Sequence, residues 1–230
     1  MKKDKQGCDG KTCLLCRLSL KEWAPAVALH RRNFILQKGE MLFKEGDPVA
    51  GIYFIHEGLM KVHKHWGPDK ELIVRFAQKG DIIGHRGIGG LEQFYPVSAT
   101  ALAPVKVCFI EMDFFQASLK INHALLYELM LFYAQELQSS EKQMRNLAHM
   151  TVKGRIANAL LLLQQKFGFN KDGFINIALS KQDLASYIGA TYETTFRILN
   201  ELIAERLVAV SGKNYTILNE AMLLRLTDIQ

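Results

Sequence analysis

Leu179-Ser180-Lys181-Gln182-Asp183-Leu184-Ala185-Ser186-Tyr187-Ile188-Gly189-Ala190-Thr191-Tyr192-Glu193-Thr194-Thr195-Phe196-Arg197-Ile198-Leu199 is the stretch on which the reading of this chain turns. Ser180 with Asp183 three residues later is a capping-box variant and predicts a short helix from Lys181 to Ile188. Gly189 breaks it. Thr191 can cap a second helix from Tyr192 to about Glu205. Two helices joined by a tight glycine-containing turn make a helix-turn-helix. Ala185 is small where the helices must approach, and Leu184, Ile188, Ile198 and Leu202 supply a shared core.

Working outward, the apolar runs 207–210 and 215–218 flank Gly212-Lys213-Asn214, which predicts a hairpin and turns the module into a winged helix. Upstream, Thr151 can cap a helix that runs to Lys166 or Phe167 and stops at Gly168, with Ile156, Leu160, Leu163 and Phe167 on its apolar face. A helix pair with a hairpin can also serve no nucleic acid at all. The side chains weigh against that. The second helix presents Tyr192, Glu193, Phe196 and Arg197 on its first turns, where a recognition helix reaches base edges. Arginine bonds bidentately to guanine O6/N7, and glutamate accepts from cytosine N4. Lys181, Thr191 and Lys213 are placed to touch phosphates, which positions a protein without specifying sequence. An aromatic at 192 or 196 can contact a thymine methyl. The competing reading is a ligand-binding regulatory module without sequence-specific DNA binding, which salt-dependent, sequence-indifferent binding would reveal.

Residues 25–115 read differently. Gly39, Gly46, Gly51, Gly58, Gly67, Gly80 and Gly84 punctuate short apolar runs such as Ile52-Tyr53-Phe54-Ile55, which predicts a β-barrel or jelly roll. Glu57-Gly58 between two such runs reads as a hairpin turn. From Met112 the period changes. No Gly or Pro interrupts 125–147; Leu126, Tyr133, Ser140 and Leu147 fall seven apart, with Met130, Leu137 and Met144 interleaved. That seam fits a helix packed on its own domain or a parallel dimer helix. The predicted class is therefore α+β. A cysteine-containing arm (1–24) precedes a β-roll domain (25–115), a long helix (116–148) and a winged helix-turn-helix (149–230).

The 230 residues carry a formal charge of +6 with 49% apolar and 23% charged residues, an ordinary globular balance that argues against disorder. The charge is uneven: residues 1–40 hold nine Lys/Arg against four Asp/Glu, and 148–230 hold nine against seven. The basic excess thus surrounds the arm more than the helix-turn-helix. The charged start lacks an apolar signal core, and no run is long enough to span a bilayer, so a cytoplasmic protein without membrane attachment is expected. The seven histidines are scattered, without metalloprotease, hydrolase or paired-carboxylate contexts, so no enzyme is expected. Cys8, Cys13 and Cys16 lie within nine residues, and Cys108 is distant. Such a set can hold an iron–sulfur cubane or a zinc ion, or work as a thiol–disulfide switch. Cys108 amid Val, Phe and Ile also reads as a plain buried thiol.

The order β-roll, long helix, winged helix resembles the CRP/FNR transcription regulators of bacteria. Gly39-Glu40, Glu45-Gly46-Asp47, Gly51 to Ile55, Gly58 and Gly80-Asp81 resemble that family's cyclic-nucleotide-binding-like roll. Leu147-Ala148 with Gly154-Arg155-Ile156-Ala157 resembles its hinge and first DNA-domain helix, and 179–199 its helix-turn-helix. The resemblance implies a homodimer through Leu126, Met130, Tyr133, Leu137, Met144 and Leu147. That dimer would bind a palindromic double-stranded site with a TGA-like core, read by Glu193 and Arg197, with RNA polymerase as a further partner. In the cyclic-AMP-responsive branch a Gly-Glu pair, an Arg-Ser pair and a helix Thr-Ser pair hold the nucleotide. Here they become Gly84-His85, Val97-Ser98 and Ser139-Ser140, with Arg86 close by. The missing charge-assisted partner argues against cyclic AMP and leaves another small effector open. In the oxygen-sensing branch three N-terminal cysteines and one in the roll hold an iron–sulfur cluster. Cys108 falls on the roll position. Cys8, Cys13 and Cys16 supply the rest in a C-x4-C-x2-C spacing that departs from the family's short-gap-first pattern.

Overall fold

The computed structural model describes residues 1–4, 10, 12–67, 70–89 and 93–227. The described chain runs β1 (Lys2–Asp4), α1 (Leu14–Leu18), α2 (Ala24–His30), β2 (Arg32–Leu36), β3 (Met41–Phe43), β4 (Gly51–Glu57), β5 (Leu59–Trp66), β6 (Lys70–Gln78) and β7 (Ile82–Ile83). After a 3-10 turn at His85–Gly87 come β8 (Ser98–Ala101), β9 (Val105–Glu111), α3 (Met112–Ile121) and α4 (His123–His149). The remainder is α5 (Val152–Phe167), α6 (Lys181–Ile188), α7 (Tyr192–Ala204), β10 (Val208–Ser211), β11 (Asn214–Ile217) and α8 (Glu220–Thr227). The chain forms two compact units, Met1–Lys64 with Val74–Leu137, and His65–Ile73 with Gln138–Gln230.

Two sheets build the roll, ordered β1-β2-β9-β4-β7 and β3-β8-β5-β6. Period-two alternation in β4 and β9 sorts their side chains between two cores. Tyr53, Ile55, Val105, Val107 and Phe109 join Leu36, Phe43, Met60, Val62 and Ala99 in the core between the sheets. Ile52, Phe54, Cys108 and Ile110 face the other way and pack with Cys13, Leu15, Val27, Phe115, Leu125 and Leu129. Both faces of these strands are buried along their central stretches, which is why apolar residues run consecutively through 51–55 and 107–110 rather than alternating.

Glu57-Gly58 corrects one expectation. It is not a hairpin turn, because β4 and β5 belong to different sheets. The chain turns a corner there, and Gly58 has φ +96° with no room for a Cβ, which would sit 2.2 Å from the Pro104 carbonyl. The helical region also differs from the expected single helix over 116–148. It breaks at Asn122, whose Nδ2 donates to the Leu18 carbonyl (2.6 Å) while its Oδ1 accepts from the Leu125 N–H (3.0 Å). The latter bond caps the first turn of α4.

The second unit follows the capping signals closely. Thr151 Oγ1 accepts from Gly154 N–H at 3.1 Å, Ser180 Oγ from Asp183 N–H at 3.0 Å, and Thr191 Oγ1 from Thr194 N–H at 3.2 Å. Gly189 takes the left-handed conformation (φ +63°) that ends α6. Arg155 on α5 donates to the Ile188 and Gly189 carbonyls at 2.8 and 3.1 Å, pinning the turn between the two helices. Leu184, Ala185, Ile188, Ile198 and Leu202 are buried as expected. β10 and β11 form the wing, turning at Gly212 (φ +61°). α8 was not anticipated. It runs beside α5 at Gly154, where a Cβ would sit 2.6 Å from the Leu226 carbonyl.

Candidate nucleic-acid interface and sensor residues

The N-cap at Thr191 fixes where α7 starts, and so which side chains occupy its first two turns. Tyr192, Glu193, Phe196 and Arg197 are all exposed there. The i, i+4 spacing sets them in two adjacent rows, Tyr192 with Phe196 and Glu193 with Arg197. The aromatic rings stack, with centroids 6.1 Å apart and planes 11° from parallel. Arg197 does not pair with Glu193; its Nη1 meets Glu201 Oε1 at 2.6 Å, one turn further along the helix. Lys181, at the start of α6, extends its Nζ over the Phe196 ring, 5.7 Å from the centroid. Lys213 is exposed at the wing turn, and its carbonyl accepts from the Leu179 N–H (2.9 Å), which ties the wing to the start of the helix-turn-helix. One surface of the second unit therefore carries a carboxylate and a guanidinium beside an aromatic ledge, with backbone elements fixed on either side.

In the roll, the residues expected around an effector fare differently from one another. Ser98 is fully buried and its hydroxyl accepts from the Glu45 N–H (2.9 Å). Gly84 holds φ +87° directly before the 3-10 turn. His85 and Arg86 come together with two residues that sequence reasoning missed, Arg75 and Glu136. Glu136 Oε1 accepts from Arg75 Nη1 at 2.8 Å and its Oε2 from Arg86 Nη2 at 2.9 Å. Arg75 also donates to the Ile82 carbonyl (2.8 Å) and lies over the Phe132 ring. His85 is 3% exposed, packed edge-on to Phe132 and Tyr133, with Nε2 3.7 Å from Glu136, beyond hydrogen-bond reach. Burial acts to raise the Glu136 carboxyl, but His85, Arg75 and Arg86 outweigh it and hold it far below the usual carboxylate range. Burial pushes the His85 imidazole down, against the pull of Glu136 and with help from the two arginines. Arg86 is thus committed to an internal carboxylate. Residues 75 and 136 lie 61 apart in sequence, and no local pattern pairs them.

Ser139 is exposed and Ser140 half-buried on the later part of α4, in the second unit. Of the expected dimer seam, Leu126, Met130, Leu137 and Met144 are exposed. Tyr133 is not: its hydroxyl donates to the His85 carbonyl, and burial pushes it up to about 12. Leu147 is half-buried, and a Cβ on Gly189 would lie 2.6 Å from its Cδ2. Leu147 therefore packs at the helix-turn-helix turn.

Three of the four cysteines are described, and Cys8 lies outside the described residues. Cys13, at the N-cap of α1, and Cys108, on β9, are buried in one apolar cluster, and the half-buried Cys16 packs against it. The fold brings together thiols that are 95 residues apart at their widest.

Comparison with known proteins gives this geometry its context. Residues 34–122 match the cyclic nucleotide-binding domain model, and 154–226 match the Crp-like helix-turn-helix domain. An anaerobic regulatory protein of Bacillus subtilis is 30% identical over 192 residues, covering 83% of this chain and 81% of the relative. The chain belongs to the CRP/FNR family of transcription regulators. Another member of the family, the transcriptional activator protein anr of Pseudomonas aeruginosa, is 28% identical over 221 residues, with 95% of this chain and 89% of that one covered. The structure of FixK2 from Bradyrhizobium japonicum superposes with a TM-score of 0.76 at 22% identity, covering 87% of this chain and 98% of that chain, and shares the fold. These relatives are regulators and not enzymes. Among the described residues no helix is long and apolar enough to cross a membrane.

Proposed function

We propose that this CRP/FNR regulator works in the cytoplasm as a homodimer on an inverted repeat with a TGA-like core, and that the cysteines carry its signal. One observation supports the DNA reading above others. Glu193 and Arg197 stand exposed in one row on the first two turns of a capped recognition helix, the positions from which side chains reach base edges. Arg197 reads guanine and Glu193 the paired cytosine. Lys213, from the wing, adds a phosphate contact. The exposed Leu126, Met130, Leu137 and Met144 give α4 an apolar stripe for a second copy of the chain. By the same family reading, RNA polymerase is its further partner.

The sensor reading rests on the shared cluster of Cys13, Cys16 and Cys108. With Cys8, these thiolates would hold an iron–sulfur cluster, whose oxidation state or integrity would supply the signal. Their neighbours are apolar, which suits a group that must be kept from water. Cyclic AMP does not fit the roll. Arg86, which follows Gly84-His85 in sequence, is held by Glu136, and that carboxylate would repel an anionic phosphate.

Binding is tested with purified protein and a duplex pool carrying a randomised inverted repeat. A selected palindrome with a G·C step in each half-site supports the reading, and sequence-indifferent, salt-dependent binding would replace it with the plain regulatory module. The sensor is tested by anaerobic purification followed by iron, acid-labile sulfide and zinc analysis. Iron and sulfide in equal amounts, lost in Cys108→Ser, are expected. Zinc alone, or no metal, would overturn the cluster.

A further inference from the structure

Two histidines form a group that neither the recognition helix nor the cysteines involve. His63 and His65 are two residues apart on β5, so the pleat sends both side chains to one face of the strand. Glu71 stands near the start of β6, the strand beside β5 in its sheet. One donor atom from each of the three lies within 4.8 Å of the other two, and His65 Nε2 is 3.8 Å from Glu71 Oε2. The three fall within nine residues of sequence, so their spacing is set by the two strands themselves. Lys64, between the histidines, turns to the opposite face and pairs with Glu45 at 3.1 Å, which keeps its charge away from the group.

Two imidazoles and one carboxylate make a three-ligand set that zinc accepts, with each donor about 2.0–2.2 Å from the ion and a fourth position left to water. Donors around one ion at those distances stand about 3.4 Å apart, so the observed spacing closes with small side-chain rotations. The surroundings suit this. His63 is 1% exposed, and Thr100 Oγ1 on β8 lies 2.9 Å from its Nε2, which fixes the plane of the ring. Ligating imidazoles are held in this way by a second hydrogen-bonding partner. The side chains of Glu71 and His65 are 17% and 42% exposed, so the group opens towards solvent at one end and an ion can enter there. Imidazole donors favour zinc and its transition-metal neighbours over magnesium and calcium, which take oxygen. We propose that His63, His65 and Glu71 form a binding site for a divalent transition-metal ion of the zinc type, separate from the cysteines.

The experiment uses the full chain, stripped with a chelator and titrated with Co2+, which takes the place of zinc and reports its ligands by absorption. Nitrogen and oxygen ligands give d–d bands alone, whereas thiolates add a sulfur-to-metal charge-transfer band, so binding at the cysteines is told apart. One equivalent of Co2+ with d–d bands alone is expected, displaced by Zn2+ and not by Mg2+. Its binding should weaken below about pH 6.5, where imidazoles protonate. His65→Ala and Glu71→Gln should lose that equivalent while keeping the wild-type unfolding curve and any sulfur-type band. Wild-type protein that takes up no Co2+, a spectrum of the sulfur type alone, or a d–d signal that survives both substitutions would each overturn the site.

Discussion

Two arginine–glutamate arrangements in this molecule have contacts of nearly the same length in opposite settings. In the roll, Glu136 holds Arg75 and Arg86 at 2.8 and 2.9 Å, with all three side chains largely buried. On the recognition helix, Arg197 meets Glu201 at 2.6 Å, with the arginine side chain 65% exposed. Distance alone would rank the second pair higher. Environment reverses the order, because a buried charge that loses its partner stays desolvated, whereas an exposed one returns to water. The roll uses its charges to fix an arrangement. The recognition helix keeps its charges loosely held, so that Arg197 can leave Glu201 at little cost.

The largest test of that contrast is Glu136→Ala. It leaves two guanidinium groups in a largely buried site, with Arg75 Nε already lacking a hydrogen-bond partner. A loss of about 3 kcal/mol in unfolding free energy is expected, the low end for breaking a buried pair because the site is not fully closed. Urea unfolding measures it, and a loss under about 1 kcal/mol would place this cluster with ordinary surface pairs.

Acid should act on the same cluster next. His85 titrates below its ordinary value in the folded chain. Below about pH 6.5 the unfolded chain therefore binds a proton that the folded chain refuses, and stability falls as pH falls. Glu136 works in the same direction at lower pH. Its contribution is complete above the unfolded value of about 4.3 and is lost progressively below it. His85→Gln should flatten the stability curve between about pH 6.5 and 5. An unchanged slope in that window would detach His85 from the cluster.

The smallest effect belongs to Glu201→Ala. Breaking an exposed i, i+4 pair should cost about 0.3–0.5 kcal/mol of stability. It leaves Arg197 unrestrained, so its effect on DNA affinity should be equally slight. A destabilisation as large as that of Glu136→Ala would erase the contrast.

The same contrast explains what the sequence could and could not disclose. The helix-turn-helix is built from local signals. Ser180, Thr191 and Gly189 act on neighbours one to four residues away, so its caps, its turn and the exposed Glu193 and Arg197 are legible directly. The roll depends on pairings distant in sequence. Glu57-Gly58 resembles a hairpin turn locally, and only the pairing of β4 with β9 and β5 with β8 shows a corner between sheets. Arg75 and Glu136 have no shared local pattern, so the anchoring of α4 to the roll was invisible. Tyr133 falls on the heptad seam, and the bond from its hydroxyl to the His85 carbonyl is equally out of reach of a local pattern. The cysteines fall between these cases. Their spacing marked them as a set, while the shared cluster of Cys13, Cys16 and Cys108 emerged only once β9 and α1 were packed together.

The central claim is that Arg197 reads guanine from the recognition helix. It is tested most directly by comparing wild type and Arg197→Ala on two duplexes that differ only in the G·C step of each half-site, at one fixed salt concentration. Wild type should prefer the G·C duplex. Arg197→Ala should lose about 1–3 kcal/mol on it and bind the two duplexes nearly alike. An unchanged affinity and an unchanged preference in Arg197→Ala would contradict the account.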